Sequence, residues 1–262
     1  DVSPDEFPIP EPMREAKACY EFEFAELAER IESVTFAADK TEATGRWACT
    51  GVLFEFLGTA NRPTLAATDT RRLAWSGDVQ RSDAKRSYLV PVPVLESLAE
   101  FKPTRPGAPC LVEFTENEFR ATCDGAQFRS KLIEGRFPPF ADIIPRNPPI
   151  RASVNATIFA QSIRTAAKGC DETFPRLELN FTGGKIEIVG ASESGESRSD
   201  CPTIEYRGEP MGIAFNPAML YSYLSLCAKN ETVDIEFTSG QKPFIMKGVH
   251  SVSTYLVMPL TN

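Results

Sequence analysis

The chain is poor in the side chains that carry most acid–base and covalent catalysis. It has one histidine, His250, in 262 residues. That excludes paired-imidazole chemistry, and a lone histidine more often serves structure. No Gly-x-Ser-x-Gly elbow and no glycine-rich phosphate loop ending in Gly-Lys-Ser/Thr occurs. The seven cysteines (19, 49, 110, 123, 170, 201 and 227) are odd in number, scattered, and form no Cys-x-x-Cys pair. This argues against a zinc site and a disulfide framework, and for reduced thiols in a cytoplasmic protein. No metal and no cofactor is expected. No apolar run approaches the roughly 18 residues of a membrane span. The start, DVSPDEFPIPEPMREA, is acidic and proline-rich rather than a leader, and lacks an initiating methionine, so a processed or cropped start is expected. Positive charge is also short: the net charge of −8 argues against non-specific coating of nucleic acid, though not against a local basic surface.

What is present is organised around Leu65–Ser76 (LAATDTRRLAWS). It reads as a strand through Thr68, a tight turn at Asp69-Thr70, and a second apolar run through Leu73, Ala74 and Trp75. Arg71 and Arg72 stand between the two runs, where their stems can cover apolar surface while their heads stay wet.

Taken in order, residues 1–17 read as a linker and Cys19–Phe24 as an alternating strand. A helix follows with Leu27, Ile31 and Val34 on one stripe and Glu26, Glu29, Arg30 and Glu32 assigned to the other face. Trp47–Phe56 reads as strand, with 63–75 as its partner and 82–87 as a charged connection. A helix starts near Pro93, then strands fall at 110–115, 118–123 and 126–133, joined by Glu116-Asn117 and Asp124-Gly125 turns. The proline-rich stretch 134–149 is the best boundary. Beyond it come a strand and helix over 153–170, a hairpin at 177–191 around Gly183-Gly184, and a helix over 215–227 entered through Asn216-Pro217. Strands close the chain at 233–238, 243–248 and 253–260.

The second half repeats the first. Val112-Glu113-Phe114-Thr115 is answered 123 residues later by Ile235-Glu236-Phe237-Thr238, and the helix at Pro93 by the helix at Pro217. A duplicated helix–strands–helix–strands unit predicts a pseudo-symmetric array or ring segment.

Five stretches then resemble a known family, the bacterial DNA polymerase III β subunit or sliding clamp: TGVLFEF (50–56), LAATDTRRLA (65–74), SKLIEGRFPPFADIIP (130–145), IAFNPAMLYSYL (213–224) and YLVMPL (255–260). They lie in the family's order over nearly the whole chain. The resemblance implies an α+β fold, the DNA-clamp fold, with two pseudo-repeated domains, each carrying two helices against curved antiparallel sheet. It implies a linker over 1–17 from a missing first domain, a second domain over 18–145 and a third over 146–262.

It also implies a non-catalytic processivity factor that encircles duplex DNA without reading its sequence. Full-length members close into a homodimer ring. They tether the DNA polymerase III α subunit, the clamp loader and repair polymerases through short Leu/Phe peptides. Carried over residue by residue, the peptide cleft comprises Arg46, Cys49, Thr68, Thr70, Arg71, Arg72, Leu73, Pro145, Ile150, Leu256, Val257, Met258, Pro259 and Leu260. Cys49 stands where a larger aliphatic is usual, Arg71 where histidine is common and Thr70 where glycine is common. The DNA-facing candidates are Arg30, Trp47, Arg164, Lys168 and Lys229. Two other readings stand beside this one. One is a clamp-like partner-binding protein that does not encircle DNA, which the acidic helices favour. The other is a hydrolase or transferase built on Asp69, Asp171 and Glu172.

Overall fold

The structure, a computed structural model, describes residues 16–41, 45, 47–57, 62–79 and 85–261. The first half runs β1 (Ala18–Glu23), α1 (Phe24–Thr35), β2 (Gly51–Leu57), β3 (Thr64–Thr68), β4 (Arg72–Ser76), β5 (Lys85–Pro91), α2 (Val92–Glu100), β6 (Pro109–Phe114), β7 (Glu118–Cys123) and β8 (Ala126–Lys131). The second runs β9 (Ile150–Asn155), α3 (Ala156–Ala166), β10 (Leu177–Thr182), β11 (Lys185–Ser192), β12 (Gly195–Arg207), β13 (Met211–Phe215), α4 (Pro217–Leu224), β14 (Thr232–Phe237), β15 (Phe244–Gly248) and β16 (Thr254–Val257). Element for element, the two orders coincide. No helix among the described residues is long and apolar enough to cross a membrane.

Local chemistry sets the boundaries. Asn155 caps α3 by accepting from the Ile158 amide at 3.1 Å, and Asn216 caps α4 by accepting from the Ala218 amide at 2.9 Å, with Pro217 at the first helical position. The β7–β8 hairpin turns through Asp124 (φ 48°) and Gly125 (φ 83°), the doubly left-handed geometry that matches strand twist.

Three sequence expectations need correction. Trp47–Thr50 is a 3₁₀ turn, and the strand starts at Gly51. Phe215 ends a strand rather than opening a helix. The long strand β12, polar and largely exposed, went unrecognised.

The strands form a four-stranded sheet, β1-β6-β7-β8, and a sheet of twelve that passes from one half into the other. In the twelve-stranded sheet β5, β2, β3 and β4 of the first half are followed by β16, β15, β14 and β9 of the second. All pairings are antiparallel. The helices pack on one side, α1 across β3 and β4, α3 across β12 and β9. Side chains that face them, such as Val52, Phe54, Phe56 and Leu65, belong to the main core. Their alternates Leu53, Ala66, Leu73, Trp75 and Leu89 enter a second cluster on the opposite face. Burial on both faces explains why β2 is apolar almost throughout.

Arg30 was assigned to the DNA-facing surface, and the structure contradicts this. It lies on the inner stripe of α1 with 7% of its surface exposed. Its Nε donates to Ser76 Oγ at 3.0 Å, and its Nη2 donates to the carbonyls of Ser76 (3.0 Å) and Pro63. Burial lowers its pKa, with the Glu26 carboxylate opposing the shift. The guanidinium satisfies carbonyls at the start of β3 and the end of β4. Arg30→Ala should therefore lower unfolding stability by about 2–4 kcal/mol, because it orphans buried acceptors. Glu29→Ala, on the exposed face, should stay within about 0.5 kcal/mol. Urea unfolding of both variants checks this, and equal small shifts would contradict the anchoring role.

Candidate functional site

The two halves meet where β4 pairs with β16. Thr254 lies opposite Trp75, Tyr255 opposite Ala74, Leu256 opposite Leu73 and Val257 opposite Arg72. The ladder is carried one step further by the Met258 amide, which donates to the Arg71 carbonyl at 2.8 Å.

The turn feeding β4 is pinned by its own side chains. Asp69 Oδ1 accepts from the amides of Arg71 and Arg72, both at 3.0 Å, and Asp69 Oδ2 accepts from Arg72 Nε at 2.8 Å. The Thr68 hydroxyl donates to the Arg72 carbonyl at 2.6 Å and accepts from the Thr70 amide at 3.0 Å. Thr70 itself sits at φ 73°, a left-handed conformation unusual for a β-branched residue.

Alternation then splits the seam between two faces. On the helix side, Tyr255 stacks on Tyr223 with centroids 5.2 Å apart, and Phe36 from the first half packs 5.4 Å from Tyr255. Burial pushes both phenols up to about 12, so each stays a neutral donor. Tyr255 Oη donates to the Met219 carbonyl at 2.9 Å. Arg72 lies over the Phe36 ring at 5.9 Å and donates to Ser222 Oγ at 3.0 Å, so it ties the halves together. On the other face Leu73 and Leu256 pair across the seam and belong to one buried cluster with Phe137 and Phe140, which arrive from the segment after β8.

The residues assigned to the cleft therefore separate into groups. Leu73, Leu256, Val257, Pro259, Cys49, Thr68 and Ile150 are buried. Four of these, Leu73, Leu256, Ile150 and Cys49, are closed off from solvent in this structure. Leu73 and Leu256 are each 1% exposed, within the buried cluster that also holds Phe137 and Phe140. Ile150 opens β9 and points into the main core. Cys49 is enclosed, its carbonyl accepting from the Asp39 amide at 2.9 Å. Leu260 is half-buried, and its amide donates to the Ala214 carbonyl at 2.8 Å. Thr70 and Arg71 are exposed at the turn. Arg46 lies outside the described residues.

The open part is a cleft of ≈ 610 Å³ beside Met258. One wall is Asp142, Ile143, Ile144, Pro145 and Arg146 of the first half's exit segment. The other is Thr238, Gln241, Lys242 and Pro243 from the β14–β15 turn. Met258 is 38% exposed and Ile143 is 46% exposed. Ile143 was missed by sequence reasoning, though two adjacent isoleucines inside a proline-rich exit were a usable signal. A larger cleft, ≈ 920 Å³, lies on the first half between β2, β5 and residues 132–142, with a mixed polar and apolar lining.

The remaining candidates occupy the helix side or nearby turns. Arg164 on α3 is exposed and lies 5.5 Å from the Tyr221 ring of α4. Lys168 and Lys229 are exposed beyond the ends of α3 and α4. Trp47 is 65% exposed in its 3₁₀ turn. Asp171, offered as a catalytic carboxylate, accepts from the Thr173 and Phe174 amides, both at 2.8 Å, and so closes its own turn. Asp69 is committed in the same way.

Comparison with known proteins agrees with this architecture. The family described as DNA polymerase III beta subunit, central domain, matches residues 21–139, and the one described as DNA polymerase III beta subunit, C-terminal domain, matches residues 141–261. The beta sliding clamp of Proteus mirabilis is 29% identical over 238 residues, covering 90% of this chain and 64% of its own length. That of Rickettsia bellii is 27% identical over 274 residues, covering 98% of this chain and 70% of its own. This chain thus spans about two thirds of the length of such relatives. Among solved structures, a DnaN sliding clamp from Pseudomonas aeruginosa shares the fold with a TM-score of 0.88 at 21% identity, over 100% of this chain and 70% of that one. The DNA polymerase sliding clamp of Bacillus subtilis does so at 0.85 and 20%, over 100% and 68%. Two consecutive domain matches, laid on two copies of one ten-element unit, establish that the chain belongs to the DNA polymerase III β subunit family.

Proposed function

We propose that the protein works as a sliding clamp, a non-catalytic processivity factor that encircles duplex DNA and tethers replication and repair enzymes through the cleft at Met258. The observation that carries the tethering role is two exposed apolar side chains, Met258 and Ile143, in a cleft whose walls come from both halves. Methionine adapts its shape to several anchors, which suits a site serving several enzymes. The occupants are short Leu/Phe peptides of the polymerase III α subunit, the clamp loader and repair polymerases. Burying one such anchor is worth roughly 1.5–3 kcal/mol. Two anchors, less the cost of ordering the peptide, give about micromolar affinity. Met258→Ala and Ile143→Ala should each weaken a peptide of QLxLF type by about tenfold without changing stability. Leu73→Ala should instead lower stability by about 2–4 kcal/mol, since it opens a cavity in the buried cluster on the outer face of the seam. Fluorescence anisotropy with urea unfolding separates the two effects. Wild-type affinity in both exposed-residue variants would remove the cleft from this surface.

The DNA-facing role rests on the helix layer, and its charge is uneven. Glu29, Glu32 and Glu100 are exposed on the first half, while Arg164, Lys168 and Lys229 are exposed on the second. Phosphate contact therefore falls mainly to the second half. Replacing Arg164 and Lys168 together with alanine should weaken duplex binding and reduce the slope of log K against log salt by about 2. An unchanged slope would count against the assignment. The acidic face favours the rival reading of a partner-binding protein that does not encircle DNA. Retention on nicked circular DNA with loss from linear DNA would decide for encirclement, and equal loss from both for the rival.

Ring closure follows from the repeat. β4 pairs with β16 across the seam, and their counterparts are β12 and β8. β8 ends its sheet, and Gly195–Pro202 of β12 pairs with β11 on one side only, β9 joining from Thr203. These two edges are where the proposed ring continues. In a protein extended to its relatives' length, the preceding domain covers β8 within the chain, and the amides of residues 196–201 should gain hydrogen-exchange protection on assembly. Equal exchange before and after assembly would place the joint elsewhere.

A further inference from the structure

We propose that the cleft at Met258 selects peptides carrying acidic residues beside their apolar anchors, with Arg146, Lys242 and Arg71 as the selecting groups. This rests on the reading of the cleft as a peptide site. Arg146 stands on one wall and Lys242 on the other. Arg71 is exposed at the adjoining turn, where its carbonyl holds the Met258 amide at 2.8 Å. All three are exposed, and among the described residues none has a carboxylate partner. Arg72 does not contribute, since Asp69 and Ser222 occupy it. The one acid lining the cleft, Asp142, already has interactions of its own.

The contrast with the rest of the molecule gives this cluster its meaning. The protein carries a net charge of −8, and many of its cations are matched: Lys40 with Glu96, Arg62 with Glu26, Arg120 with Glu113, Lys185 with Asp200. Two cations on the walls of one apolar opening and a third at the adjoining turn, none with a carboxylate partner among the described residues, set positive charge beside it. An anionic partner relieves their mutual repulsion, and an acidic flank is drawn in over about a Debye length, ~8 Å at physiological salt. Ile143 and Met258 take the apolar anchors, while the cations decide which flanking residues are tolerated.

The test uses three synthetic peptides with the same Leu/Phe anchors, flanked by Asp-Asp, Ser-Ser or Lys-Lys, titrated by fluorescence anisotropy at low and high salt. At low salt the acidic peptide should bind about five- to tenfold tighter than the neutral one, and the basic peptide weaker by a similar factor. At 1 M salt the three should converge. Arg146→Glu combined with Lys242→Glu should reverse the order of the acidic and basic peptides. Both positions are exposed, and circular dichroism verifies the fold. Equal affinities of the three peptides at low salt, or an order unmoved by the double substitution, would overturn the charge selection while leaving the cleft. Failure of all three to bind wild type would overturn the cleft reading and this proposal together.

Discussion

Everything that distinguishes this molecule from two separate domains depends on the antiparallel pairing of β4 with β16. Four residue pairs make a short ladder. A ladder of that length is a weak joint by hydrogen bonding alone, since each bond nets only about 1 kcal/mol. What makes it firm is that both faces of the seam are covered. Phe36, Tyr223 and Tyr255 pack on the helix side, and Leu73, Leu256, Phe137 and Phe140 on the other. Arg72 adds a polar tie, reaching from the turn of one half to α4 of the next. The two halves are thus joined by the same device that builds each one, a twisted sheet buried on both faces.

The repeat explains the joint and also where the halves part company. After β8 the chain runs on through Phe137 and Phe140 and roofs the outer face of its own sheet. After β16 the chain crosses to β13, where the Leu260 amide donates to the Ala214 carbonyl. The outer positions equivalent to Leu53 and Leu89 are Glu178 and Ala214 in the second half, so the two outer faces differ chemically as well. One half keeps a second hydrophobic cluster, and the other presents a polar groove.

Much of this was legible in the sequence because it depends on local rules. The duplicated unit, the Asp124-Gly125 hairpin, the Asn-Pro entry to α4 and the alternating strands follow from turn chemistry and period. The strand β12 was not legible, because GESRSDCPTIEYR buries only Cys201 fully and so shows no clean alternation. Arg30 was misplaced because its charge outweighed its position. It stands three residues after Leu27 and four before Val34, on the buried stripe, and that spacing was the available signal. The site was half legible. Met258 and the Asp69 turn could be found from sequence, but the cluster that encloses Leu73 and Leu256 could not, since its members Phe137 and Phe140 lie some sixty residues from Leu73 in sequence.

The cleft beside Met258 has one wall in each half, Ile143–Arg146 on one side and Thr238–Pro243 on the other. A molecule that fills it therefore touches both bodies and spans the joint between them. By linkage, whatever binds the joined arrangement and not the separated one stabilises it by RT ln(1 + [L]/Kd), about 2.7 kcal/mol at a hundredfold excess over Kd. A bound partner acts as a clip across the sheet, and a change in the angle between the halves is felt at the cleft as a change in affinity.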